Sequence, residues 1–140
     1  MRERDKIKAV PKEEALFVLA GIAKWFAKSL GYRYEGEHIL PEDAPSGVVK
    51  SYAWSDPNDR FSYISVYEHK AELRMHLFRN DASTAMCLDL AADGMVTYRS
   101  TYIKGEQAFR WARIMFAEYR KRVERIVSNR RVEDGDDEED

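Results

Sequence analysis

Near residue 48 the spacing of apolar residues changes from about 3.6 to 2, and this switch restricts the chain to a helix followed by a sheet. Before it, Leu16, Leu19, Ala23, Phe26 and Leu30 recur at intervals of three and four, with Val18, Ile22 and Trp25 widening the apolar stripe. Pro11 suits a first helical turn, and Glu13 and Glu14 fall where the helix dipole favours negative charge. Gly31 is placed as a left-handed stop. The Gly-, Pro- and acid-rich stretch 31–47 reads as a connection carrying a short strand at 32–35.

After the switch, five segments rich in β-branched and aromatic residues follow at 48–55, 61–67, 72–79, 84–90 and 95–103. Turn-formers separate them: Asp56-Pro57-Asn58-Asp59, His69-Lys70, Asn80-Asp81 and Asp93-Gly94, the last a two-residue hairpin signal. Gaps this short require antiparallel neighbours, because a parallel pair needs a long crossover. Alternation places Leu73, Met75, Leu77, Met86, Leu88 and Leu90 on a greasy face, and Glu72, Arg74, His76, Cys87 and Asp89 on a mixed one. A second, amphipathic helix runs to about Val127. Its expected core stripe is Phe109, Ala112, Phe116, Tyr119, Val123 and Ile126, with Arg110, Arg113, Lys121 and Arg125 largely opposite.

The expected fold is therefore α+β: an N-terminal helix, a five-stranded antiparallel β-meander and a C-terminal amphipathic helix, with both helices packed on one face of the sheet. At 140 residues the length suits one domain. It divides into a flexible lead-in (1–10), a folded body (11–131) and a disordered acidic tail (132–140). This order of elements broadly looks like that of several small α+β binding modules, secretion-chaperone-like folds among them, a likeness of fold that carries no function.

Charge is the most uneven property. Residues 110–131 hold eight basic side chains against Glu118 and Glu124, whereas 133–140 hold seven acids and no base. The overall net charge of −2 conceals this opposition. The longest apolar run, 15–23, stops at Lys24, about half of a membrane span. Glu13 and Glu14 directly before it argue against a secretory signal. With Cys87 as the single cysteine, a disulfide framework is excluded and a cytoplasmic, reducing location is expected.

No motif for chemistry emerges. There is neither a GxxxxGK[ST] nor a GxGxxG, and Gly105 is the lone glycine between strand and helix. His38, His69, His76 and Cys87 lack metal-ligand spacing, and a His76–Cys87 pair needs further ligands from Glu72 or Asp89. No third group orients a Cys87–His76 dyad for catalysis. No enzyme activity, metal or cofactor is expected.

What remains is binding. The first expectation is a non-catalytic protein-binding module, an adaptor or inhibitor of the kind carried by mobile elements or phages, acting by occlusion or recruitment. The alternative is a single-stranded nucleic-acid binder that uses the basic helix and an aromatic sheet face, modulated by the acidic tail. The candidate surface comprises Arg110, Arg113, Lys121, Arg122 and Arg125 on the helix, and Arg74, Arg99, Tyr52 and Trp54 on the sheet. A protein is the expected partner, with nucleic acid as the alternative, no membrane, and a homodimer left open.

Overall fold

A computed structural model describes residues 7–39 and 48–134. The chain begins with a two-residue strand β1 (Val10–Pro11) and helix α1 (Lys12–Leu30). Six strands follow: β2 (Arg33–Ile39), β3 (Val48–Asp56), β4 (Asp59–His69), β5 (Glu72–Arg79), β6 (Ala82–Leu90) and β7 (Met95–Lys104). Helix α2 (Ala108–Asp134) closes the described chain. The fold is α+β, with one antiparallel sheet ordered β1-β7-β6-β5-β4-β3-β2.

Among the described residues the sheet thus has seven strands where five were expected. β3 to β7 are those five, and the short strand expected at 32–35 extends to Ile39 as β2. It survives its central glycine because a bulge leaves Glu35 as the extra residue between the Tyr34 and Gly36 pairings with β3, and Gly36 supplies the φ of 114° beside it. The other addition lies in the expected lead-in, where Val10 pairs with Val96 and Ile7 is buried. Two pairing residues leave too short a trace of alternation to be read as a strand. Residues 1–6, 40–47 and 135–140, and with them most of the acidic tail, lie outside the described residues.

Local chemistry sets the ends of α1. Pro11 holds φ at −59° before the first turn, and Glu13 and Glu14 face the positive end of the dipole. Lys12 is fixed twice: its backbone N–H donates to Gly94 O at 3.1 Å, and its ammonium to Glu68 Oε2 at 2.8 Å. At the other end Gly31 adopts φ 78°. Its N–H reaches Lys28 O, while that of Tyr32 reaches Ala27 O at 2.8 Å, the paired bonds of a Schellman stop. The connection between β6 and β7 takes four residues, 91–94, rather than two. Asp93 Oδ1 accepts the Met95 N–H at 3.0 Å and Ala91 donates to Met95 O, so the aspartate organises a wider turn.

One core joins sheet and helices. Leu73, Met75, Leu77, Met86 and Leu88 are fully buried, as are Leu19 and Tyr119, while Leu90 and Phe116 are half-buried. The core stripe of α2 is wider than expected. Ala112, Tyr119 and Val123 are buried and Phe116 and Ile126 pack against the core as expected, Ala108, Trp111 and Met115 join them, and Phe109 lies outside with 59% of its surface exposed. Trp25, expected to widen the stripe of α1, is also largely exposed.

β6 departs from simple alternation, since both phases are buried from Ala82 to Leu88. Register supplies the reason. Ser83 stands between Phe78 and Lys104, and Ala85 between His76 and Tyr102. Small side chains flanked by long ones on a twisted sheet are covered without any overlying layer.

Candidate interaction surface

Helix α2 carries the basic candidates on a solvent-facing strip. Arg110, Arg113, Lys121 and Arg125 are exposed and have no ion-pair partner among the described residues. Arg122 is different. Its Nε donates to Glu118 Oε1 at 3.2 Å one turn back, and its guanidinium lies over Gly21 of α1. It serves the contact between the helices, which Arg130 of α2 and Glu14 of α1 reinforce with an ion pair.

Large apolar side chains interrupt this cationic strip. Phe109 and Ile114 are exposed beside Arg110 and Arg113, and Phe17 of α1 is 77% exposed beside Lys121 and Arg125. Phe109, expected in the core, thus faces solvent. Trp111 and Met115, four residues apart and in phase with Tyr119 and Val123, are the signal that turns the core stripe away from Phe109. Two grooves flank the strip. One, about 370 Å³, separates α1 from α2 and is lined by Phe17, Val18, Glu118, Lys121, Arg122, Arg125 and Ile126. The other, about 380 Å³, separates β7 from α2 and is lined by Tyr98, Thr101, Ile103, Arg113, Phe116 and Arg120.

The sheet candidates fall on opposite sides. Trp54 is buried in the core and meets the Tyr34 ring at a tilt of 47° with ring centroids 5.2 Å apart, and the half-buried Tyr52 packs against the same core. Neither ring lies among the mixed-face residues, where the platform was expected. Their phase follows from register, since Trp54 pairs with Ile64 and Tyr52 with Val66, both fully buried. Arg74 and Arg99 do lie on the mixed face, but acids engage them. Glu72 binds Arg74 Nη2 and Arg99 Nη2, each at 2.8 Å, and Asp89 reaches Arg99 Nη1 at 3.3 Å.

His76 and Cys87 are not opposite each other. Cys87 pairs with Arg74 and His76 with Ala85. His76 Nδ1 instead lies 3.1 Å from the Tyr63 hydroxyl, in a small aromatic cluster where Tyr63 also stacks on Phe78. Burial, with the Arg74 charge as a second cause, holds the His76 imidazole below its ordinary pKa, which favours the neutral ring. Among the described residues no group of three or more His, Cys, Asp or Glu side chains is arranged to hold a metal ion, and no helix is long and apolar enough to cross a membrane.

Comparison with known proteins finds no matching family model and no matching curated protein. The class defined by the geometry is an α+β domain whose second helix exposes cations beside Phe109 and, across from α1, beside Phe17.

Proposed function

We propose that this protein is a non-catalytic protein-binding module, an adaptor or inhibitor that acts by occluding or recruiting a partner protein through the outer surface of α2. One observation carries the reading: Phe17 and Phe109 remain 77% and 59% exposed, the first beside Lys121 and Arg125 and the second beside Arg110 and Arg113, four cations without an ion-pair partner among the described residues. Exposed aromatics next to arginine are the composition of interface hot spots. The reading takes both helices as covering one face of the sheet, which the shared core supports, so that α2 turns its other side outward. The single, buried Cys87 fits a reducing, cytoplasmic setting.

Single-stranded nucleic acid is the second reading, favoured by the unpaired cations of α2. It loses support on the sheet, where Glu72 and Asp89 engage Arg74 and Arg99. One paired experiment decides. Cross-linking capture from source cells should yield a partner protein with the native chain and lose it with Phe17→Glu/Phe109→Glu. Neither the native chain nor a 1–132 truncation should then bind single-stranded DNA or heparin at low salt. Binding by the truncated chain that Lys121→Glu/Arg125→Glu abolishes would transfer the function to nucleic acid, with the acidic tail as its modulator.

A further inference from the structure

We propose that the groove between β7 and α2 seats an amphipathic helix of the partner protein, one that turns an apolar stripe inward and sets acidic side chains seven residues apart against Arg113 and Arg120. The proposal rests on the protein-binding reading of α2 and names the chemistry of the partner.

The first observation is an apolar floor. Tyr98 and Ile103 of β7 line the groove with Ala112 and Phe116 of α2, and the Tyr98 ring meets Phe116 edge-on at 5.0 Å. The hydroxyls of Tyr98 and Thr101 bond each other at 2.9 Å, so the polar atoms of the floor are satisfied from within it. Helix α1 does not fill this groove, because its Phe17 and Val18 line the groove on the opposite flank of α2. Seven residues before Phe116, Phe109 carries the apolar row two turns further, exposed beside Arg113.

The second observation is the spacing of the cations on the rim. Neither Arg113 nor Arg120 has an ion-pair partner among the described residues; Arg120 rests over the Phe116 ring at 5.9 Å. Of the nearby acids, Glu106 borders the Phe109 end and Glu118 is held by Arg122 on the other flank. Seven residues of helix place the two arginines about 10.5 Å apart along α2. A partner strand covers that distance in about three residues, so the side chains reaching the arginines would leave its opposite faces. A partner helix covers it in two turns, with residues i and i+7 on one side. Phe109 and Phe116 keep the same interval, so one helix aligned with α2 meets both rows, apolar residues on the rings and acids on the arginines. Other occupants fit less well. Helices α1 and α2 of a second copy carry no two acids seven residues apart, and the acidic stretch 133–140 has no apolar side chain for the floor.

The test uses the full chain and fluorescence anisotropy with a labelled peptide of three heptads, leucine at the first and fourth positions of each and glutamate at the fifth and seventh. It should bind saturably and gain helix by circular dichroism. A scrambled peptide of the same composition should bind about tenfold more weakly or worse, because charge without spacing cannot serve both arginines. Arg113→Glu/Arg120→Glu, with folding checked by circular dichroism, should weaken binding by a similar factor and should instead take up the peptide in which lysine replaces every glutamate. Absence of saturable binding, equal binding of the scrambled peptide, or failure of the exchanged charges to restore binding overturns the proposal. So does binding that appears only in a 1–132 truncation, which would seat the acidic stretch of this chain in the groove. A dimer in sedimentation that excludes the peptide overturns it as well, by seating a second copy there. The two readings separate cleanly. If the partner captured by the native chain is kept by Arg113→Glu/Arg120→Glu but lost by Phe17→Glu/Phe109→Glu, the groove site falls and the binding module stands.

Discussion

Substituting Gly21 with alanine tests how the helix pair carrying the candidate surface is held. Gly21 lies inside α1, and a Cβ built there meets Arg122 Nη1 at 2.8 Å. That distance is too short to persist, so one group must move. The colliding atom is the far end of a flexible side chain, and the guanidinium swings away before the helices part. The change therefore sets two terms against each other. Alanine in a helix interior is favoured over glycine by about 0.8–1 kcal/mol. Moving Arg122 disrupts its 3.2 Å bond to Glu118, an i,i+4 pair whose side chains are 30% and 22% exposed and which contributes about 0.3–0.5 kcal/mol. The helix term is larger, and Gly21→Ala should stabilise the protein by roughly 0.5 kcal/mol. In an Arg122→Ala background no collision remains, and the same change should add about 1 kcal/mol. Urea unfolding of the four proteins of this cycle measures both numbers, with the coupling between the sites as their difference. If Gly21→Ala destabilises in both backgrounds, backbone rather than the arginine occupies the space over Gly21, and the account of the helix contact is wrong.

Leu77 is fully buried between Ile64 and Thr84 in register, so Leu77→Ala should cost about 2–5 kcal/mol in urea unfolding, and a loss under 1 kcal/mol would place the core elsewhere. The His76 pKa is lowered in the folded chain, so below the ordinary histidine pKa of 6.5 the unfolded state binds more protons; stability should be full above pH 6.5 and fall as the pH drops from there through the folded pKa. His76→Gln should flatten that slope in chemical denaturation at several pH values, and an unchanged slope would exclude His76 as its origin. Cys87 is 5% exposed, so a thiol reagent should modify it many times more slowly in the native protein than in denaturant, and equal rates would contradict its burial between the flanking strands.

The sequence by itself determined the elements whose signal is local and long. Nineteen residues of helix stopped by Gly31, and strands of eight to eleven residues divided by turn-formers, repeat their period often enough to be read without knowledge of their neighbours. The greasy phase of β5 was legible for the same reason. β1 was not, because two residues have no period, and Val10 is a strand only because Val96 lies beside it. Register against neighbours likewise decided that Ser83, Ala85 and Cys87 are buried and that Trp54 turns into the core. On α2 the charges were legible as a strip, and so was the core row of Ala112, Phe116, Tyr119, Val123 and Ile126. Tertiary packing widened that row to Ala108, Trp111 and Met115 and left Phe109 outside. A period defines a face only to within its neighbouring rows, and the shape of the opposing surface selects among them. The aromatic half of the candidate surface was for that reason hidden from the sequence.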